Sequence, residues 1–310
     1  MTPGPATTPY VAVVGAVNVD VCGRSLAPLV DRDSNPGTVT TSLGGVGRNI
    51  AHNLALLDVP VALVTALGGD DNAARVTRSC DALGIDLRHS LRVENGTTST
   101  YLVLTDHQGE VALAVSDMGI YEKLTPAYME SQLDLLNAAG LVVLDTNIPA
   151  DTVAFLATHC TAPLFADPVS TAKAGKLKPV LGRLHTLKAN RLEASLLSGV
   201  EVTDEDSLRA AARALLDTGL KRVFLSLGPE GLLSCEGETM LRLPVFPGAM
   251  ENATGCGDAL TAALAWAFLR DLSLEESAKA GLAAAAIALA SPATINPALS
   301  TDQVKKLAKL

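Results

Sequence analysis

Short unbroken apolar runs alternate along this chain with stretches in which apolar residues return every three or four positions. Val11-Ala-Val-Val14, closed by Gly15, and residues 61–67 have the length and β-branched content of strands buried on both faces. Residues 141–144, 163–166, 186–188 and 222–227 repeat the pattern. Between the runs the spacing turns helical. Ile50, Leu54 and Leu57 share one face, and further helical patterns fall near 71–83, 125–137, 151–159, 191–198 and 205–218, with two long ones near 258–270 and 274–290. This alternation predicts a three-layer α/β/α fold around a mainly parallel central sheet. Two stretches break the rhythm. Residues 18–43 are rich in Asp, Ser, Asn, Pro and Thr, whereas Thr97 to Val115 alternates as a hairpin about Asp106-His-Gln-Gly109. These insertions, about 19–43 and 97–118, predict a small β-strand lid over the strand ends, where ligands bind in such sheets. Residues 1–9, rich in Pro, Gly and Thr, read as a flexible tail ahead of one domain, 10–310.

Composition narrows the function classes. Hydrophobic residues make up 48% of the 310, with only 3% aromatic, so the excess lies in Ala, Val and Leu, as Ala-rich packing helices require. Twenty-four Lys and Arg against 33 Asp and Glu give a net charge of −9, which argues against a nucleic-acid partner. The five scattered cysteines read as reduced cytoplasmic thiols, neither a disulfide framework nor a zinc site. The start, MTPGPATTPY, lacks the basic and apolar regions of a secretion signal. The most apolar stretch, 278–290, contains Lys279, stops before Pro292 and is shorter than the roughly 20 residues of a membrane span, so a cytoplasmic protein with no membrane partner is expected. His52 and His185 have no paired acid or nucleophile in sequence and read as packed or surface residues; Trp266 reads as a core or interface anchor.

Two glycine-rich segments carry candidate chemistry. Asn252-Ala-Thr-Gly-Cys-Gly-Asp258 opens an Ala-rich helix. Gly255 and Gly257 would let backbone N–H groups approach a phosphate, and the helix start adds its dipole, which makes an anion hole. Asp258 at that start would stay ionised and accept a proton from a hydroxyl attacking phosphorus; an N-capping Asp is the plainer alternative. Gly44-Gly-Val-Gly-Arg-Asn49 is neither a dinucleotide fingerprint, since position 50 is Ile, nor a Walker loop, since no Gly-Lys-Ser/Thr follows. It lets a polar ligand sit against backbone, with Asn49 as a directional donor and acceptor.

Together these segments resemble the ribokinase-like (PfkB) carbohydrate kinases over nearly the whole chain. The resemblance rests on Asn18-Val-Asp20, Gly44-Gly-Val-Gly-Arg-Asn49, Lys188-Ala-Asn-Arg-Leu-Glu193, Ser226-Leu-Gly-Pro-Glu-Gly231 and Thr254-Gly-Cys-Gly-Asp258, in that order. It implies an ATP-dependent kinase in which Asp258 is the base and Gly255, Cys256, Gly257 and Asp258 form the anion hole. It places Asn18, Asp20, Gly44, Gly45 and Asn49 on the sugar hydroxyls, Asn190 and Glu193 near the triphosphate and its Mg²⁺, and Ser226, Gly228 and Gly231 along the nucleotide. Asn252 stands where cation-binding members carry Asp, so the resemblance leaves a monovalent cation open. Cys256 replaces the usual Ala and is small enough to fit.

Within the family the likeness is to members that phosphorylate pseudouridine at its 5′ hydroxyl. It is carried by Asp33-Ser-Asn-Pro-Gly37, Gly44-Gly-Val-Gly-Arg-Asn-Ile-Ala51, Asp117-Met118, Asp167-Pro-Val-Ser170 with Lys173, and Leu187-Lys-Ala-Asn-Arg-Leu-Glu-Ala194. The base would be read by lid residues Asp33, Ser34 and Asn35, the hairpin around Thr98 and Thr100, and Asp117, Met118 and Lys173. Other acceptors, another nucleoside or free ribose or fructose, stay open, as does a silent ligand-binding protein on the same fold. Unpaired lid edges, and relatives that pair such edges, imply a homodimer.

Overall fold

A computed structural model describes residues 9–248 and 250–310, so the tail expected over 1–9 lies outside the described residues except for Pro9. The chain begins with β1 (Val11–Val14), β2 (Asn18–Ser25), β3 (Gly37–Gly44), β4 (Val61–Val64), β5 (Ala66–Gly68) and β6 (Leu91–Val93). It continues with β7 (Thr100–Thr105), β8 (Val111–Asp117), β9 (Leu141–Asp145), β10 (Leu164–Asp167) and β11 (Thr186–Asn190). The last three are β12 (Arg222–Ser226), β13 (Leu232–Glu236) and β14 (Thr239–Leu243). The main sheet runs β14-β13-β12-β11-β10-β9-β1-β4. Its strands from β12 to β4 are parallel, and β13 and β14 are antiparallel additions at one edge. The expected layered α/β architecture is therefore observed.

Alternation across the strands divides the core in two. Val11 and Val13 face a cluster that includes the helices Val46–Leu56, Cys256–Phe268 and Leu274–Leu289, whereas Ala12 and Val14 face one built on Ala150–His159, Arg191–Ser198 and Glu205–Asp217. Alanines let the two long C-terminal helices approach closely. At Gly281 even a Cβ would lie 3.2 Å from Leu260 Cγ. Trp266, 1% exposed, anchors this side as expected, and His185 packs between Phe165 and Phe268.

The lid is a separate four-stranded sheet in the order β3-β2-β7-β8. β2 pairs antiparallel with β3 and parallel with β7, so Asn18 and Gly44 share its base while residues 26–36 form the far tip.

Two readings need correction, and two elements are added. Residues 61–67 are not one strand: Thr65 leaves the main sheet, its carbonyl accepting from Leu91 N at 2.8 Å, and Ala66–Gly68 pairs with β6 instead. The helix expected at 125–137 is two, Pro126–Glu130 and Leu133–Ala138, parted where Ser131 Oγ donates to the Tyr128 carbonyl and Gln132 Oε1 meets His89 Nδ1. The β13–β14 hairpin and the terminal helix Thr301–Ala308 were not anticipated.

Candidate active site

Parallel strands aim their C-terminal ends at one rim, and here those ends carry acids. Asp145 closes β9 and Asp167 closes β10, and the two are register partners on neighbouring strands. Asp145 is 1% exposed. Its Oδ2 accepts from Ala16 N and Gly47 N, each at 2.8 Å, and its Oδ1 accepts from Asn147 N at 2.8 Å. One carboxylate thus joins the β1–β2 turn to the start of helix Val46–Leu56. Burial pushes its pKa up, opposed by the bonds from Ala16 and Asn147.

The glycine-rich start of that helix is shaped by contact. Gly45 has φ of 93°, and a Cβ there would sit 2.5 Å from the Ala16 carbonyl oxygen, so both conformation and space call for glycine. Gly44 makes room for the Asp20 carboxylate, whose Oδ2 would lie 2.1 Å from an added Cβ. Burial raises the Asp20 pKa, opposed by the nearby Arg48 guanidinium. Asn18 Oδ1 accepts from Ser99 Oγ, which also lies 2.9 Å from the Asp117 carbonyl.

Asn49 reaches across to the other glycine-rich segment. Its Nδ2 donates to Asp258 Oδ2 at 2.8 Å, while its buried Oδ1 has no partner among the described residues. Asp258 is no N-cap: Gly255, left-handed at φ 86°, caps the helix, which starts at Cys256 and places Asp258 in its first turn. The expectation that Asp258 stays ionised is corrected as well. Burial, reinforced by Asp167, pushes its pKa up to about 7 and outweighs the Asn49 bond and the Lys188 charge. Its proton affinity is thus raised from the ordinary carboxylate range toward neutral pH.

Lys188, from β11, sits among these acids. Its Nζ is 3.2 Å from Asp167 Oδ2, and Thr261 Oγ1 donates to the same oxygen at 3.2 Å. Burial alone would lower the lysine pKa, but Asp167, Asp258 and Glu193 hold it above its ordinary value. Next along the chain, Asn190 and Glu193 cap helix Arg191–Ser198 reciprocally: Asn190 Oδ1 accepts from Glu193 N at 2.9 Å and Glu193 Oε2 from Asn190 N at 2.8 Å. Burial raises the Glu193 pKa, with Asn190 N–H and Lys188 opposing.

The remaining sequence candidates divide. Lys173 Nζ bonds Asn147 Oδ1 and lies 3.4 Å from Met118 Sδ, so Lys173 and Met118 do meet. Ser226 Oγ donates to the Ala189 carbonyl at 3.3 Å; Gly228 is left-handed with open space beside it, and Gly231 makes room for the Leu243 carbonyl, a packing role. Asn252 Nδ2 donates to the Pro292 carbonyl and its Oδ1 accepts from Thr254 N, so this amide clamps its own loop.

Five candidates lie elsewhere. Thr98 is fully buried, its Oγ1 donating to Asp70 Oδ1 at 2.6 Å and accepting from Gly68 N. Thr100 Oγ1 donates to the Thr98 carbonyl, and Asn72 Nδ2 donates to it. Asp33, Ser34 and Asn35 lie at the far lid tip, where Asn35 Oδ1 accepts from Val30 N and its Nδ2 donates to the Val30 and Asp33 carbonyls. Asn35 there is a turn former. Sequence reading assigned no role to Asp145, Asp167, Asn147, Lys188 or Ser99. A signal existed for the first two: each is an acid ending a run of buried apolar residues, LVVLD and LFAD.

Comparison with known proteins identifies the family and the fold. The pfkB family carbohydrate kinase pattern matches residues 8–302. The chain is 35% identical over 301 residues to a pseudouridine kinase of Escherichia coli (strain K12), covering 96% of each chain. Among solved structures, a carbohydrate kinase from Agrobacterium tumefaciens superposes with a TM-score of 0.86 at 28% identity, covering 97% of each chain. Arabidopsis thaliana ribokinase, complexed with ribose and ATP, gives 0.85 at 24% identity, covering 98% of this chain and all of its own, and so shares the fold.

Proposed function

The chain belongs to the pfkB family of carbohydrate kinases, phosphotransferases with an alcohol acceptor, and we propose that its acceptor is the 5′ hydroxyl of pseudouridine, with ATP as donor. The observation that carries the reading is the Asn49–Asp258 pair. Asn49 holds Asp258 through its amide and leaves Oδ1 buried without a partner, an acceptor for a hydroxyl presented to the base. Asp258 takes the hydroxyl proton as oxygen attacks phosphorus; a base with a pKa of about 7 suits that role near neutral pH. The first amides of helix Cys256–Phe268, unpaired at a helix start, receive the transferring phosphoryl group. Asn18 and Asp20 hold ring hydroxyls. Asn18 Oδ1 is occupied by Ser99, so its Nδ2 is the group offered.

Nucleotide and metal fit the residues present. Ser226 and Gly228 flank the nucleotide phosphates beside β12, where Gly228 leaves open space. Asn190 and Glu193 offer oxygen donors, and among the described residues no group of three or more His, Cys, Asp or Glu forms a metal cage. That suits a Mg²⁺ that keeps waters and nucleotide oxygens as ligands. Bound there, Mg²⁺ would neutralise the triphosphate charge.

Two features support pseudouridine over a free sugar. The chain shares 35% identity over 96% of its length with a kinase of that name, and Lys173 bonds Asn147 with Met118 beside it, which adds polar groups to the Asn18–Asp20–Asn49 set. Pseudouridine has a ring N–H that uridine uses for its glycosidic bond. A carboxylate, amide oxygen or backbone carbonyl accepting from that N–H would be left unpaired by uridine. Offering pseudouridine, uridine, cytidine, adenosine, ribose and fructose with ATP and Mg²⁺ tests the assignment. The expected result is the highest kcat/KM for pseudouridine; a tenfold preference for ribose, fructose or adenosine, about 1.4 kcal/mol, removes it and leaves the kinase.

The lid supports a further proposal, a homodimer. Val39, Leu102, Leu104, Val111, Leu113 and Val115 are large apolar residues exposed on the lid sheet, and the register places Val39, Leu102, Leu104, Leu113 and Val115 on one face. Light scattering that gives twice the 32.0 kDa chain mass is the expected result.

A further inference from the structure

Gly257 is helical with no positive φ, so its backbone conformation does not require glycine. Space does. A Cβ there would sit 2.6 Å from Lys188 Nζ, which means that the lysine ammonium lies directly against the turn assigned to the transferring phosphoryl group. Lys188 comes from β11, its side chain is 11% exposed, and among the described residues its Nζ has one acceptor, Asp167 Oδ2 at 3.2 Å. An ammonium carries three N–H donors. Two remain, and the contact with Gly257 shows which group the open side of Nζ faces.

We propose that Lys188 is a catalytic residue, donating through Nζ to the transferring phosphoryl group at the Gly255–Asp258 turn. The proposal rests on the phosphotransferase reading of that turn. In the step, the bond between the γ-phosphorus and the bridging oxygen of ADP breaks and its electron pair leaves with ADP. The bond from the acceptor oxygen to phosphorus forms, and the hydroxyl proton passes to Asp258. Lys188 keeps its three protons throughout and holds charge on the equatorial oxygens.

Electrostatics gives the reason. The phosphoryl group is an anion arriving beside Asp145, Asp167, Glu193 and Asp258, all lining one rim. A fixed cation among them offsets that repulsion where water is excluded and the local dielectric is low. The plainer role, an ion pair that merely neutralises buried Asp167, makes a different prediction. Removing one partner of a buried pair leaves an uncompensated charge, whereas removing both does not.

The whole chain in three variants, Lys188→Met, Asp167→Asn and the double Asp167→Asn/Lys188→Met, separates the two roles in a cycle. Each is assayed with ATP, Mg²⁺ and the acceptor that the wild type uses best. Lys188→Met is expected to lower kcat at least 100-fold, as loss of one oxyanion donor does, with the acceptor KM changed less than about threefold. The double variant is expected to lose as much, and Asp167→Asn alone less than tenfold. Recovery of kcat in the double variant to within tenfold of wild type overturns the proposal, as does a Lys188→Met kcat within threefold. Should Lys188→Met fail to fold by circular dichroism, the charge-neutral double variant gives the answer. A wild-type chain that consumes no ATP with any acceptor overturns the reading beneath; an active one with either recovery overturns this inference alone.

Discussion

Strands β9 and β8 carry similar apolar residues in opposite surroundings. Leu141–Asp145 is buried along its whole length, whereas every residue of Val111–Asp117 is exposed. The first lies between two helical layers and ends in an acid that bonds three backbone amides. The second is held by one hairpin partner, with a register shift at Leu104/Thr105. The contrast separates two tasks. The floor fixes charges in a dry, densely packed setting where small displacements matter, and the lid supplies a surface whose stability comes from few contacts. The proposed chemistry rests on the first and the proposed subunit contact on the second.

Breaking the floor has the largest expected effect. Asp258→Asn should lower kcat by about 10²–10⁴, with the acceptor KM changed only a few-fold. The same substitution should stabilise the protein. Asp258 has a folded pKa of about 7 against an ordinary 3.8, so the folded state retains a proton that the unfolded chain releases. Stability from this group falls as pH rises from about 4 to about 7, by up to roughly 4 kcal/mol, and Asn removes the loss. Thermal melts of both proteins at pH 5 and pH 8 check it: the advantage of Asn must be larger at pH 8.

Next in size is the pH profile of the intact enzyme. The base must be unprotonated, so kcat/KM, which reports the free protein, should rise about tenfold per pH unit below 7 and level off above it. A profile flat from pH 5.5 to 8 would detach Asp258 from the base role.

The junction before β7 comes third. Thr98→Val removes a buried hydroxyl that bonds Asp70 and Gly68, and should cost about 1–3 kcal/mol in urea melts with kcat nearly unchanged. A specific loss of pseudouridine turnover without loss of stability would return Thr98 to the substrate site. Smallest is the lid face itself. Leu113→Glu should leave the melting temperature within a few degrees of a monomeric reference and halve the mass in solution; an unchanged mass assigns the dimer contact elsewhere.

Much of the floor is legible in sequence because unbroken apolar runs and glycine-rich turns are local signals. Val11-Ala-Val-Val14 and the helix after Gly255 follow from their own residues. What escaped depends on neighbours far along the chain. The Asp258 charge state is set by Asp167, 91 positions away, and by burial, so a helix-start argument alone gives the wrong sign. The choice of glycine at 257 depends on Lys188, and the burial of Thr98 on Asp70. Asn35 misled for the opposite reason. Its composition fits a recognition loop and a turn equally, and only the bonds to Val30 and Asp33 show the turn.

The three amides gathered by Asp145 also bear on how this chain can change over generations. Glutamate is a methylene too long for a site where Gly15 has no room for a Cβ beside the carboxylate, 2.3 Å away. Asparagine has the right length, but its NH₂ would face a backbone donor, either at Asn147 or at the Ala16 and Gly47 pair. Leucine or valine would strand all three amides. One residue type in twenty meets the demand. Position 145, together with the glycines at 15 and 47, should therefore stay fixed in lineages where Val142 and Val143 drift freely among aliphatic residues, and acceptor preference can diverge through the lid without disturbing that anchor.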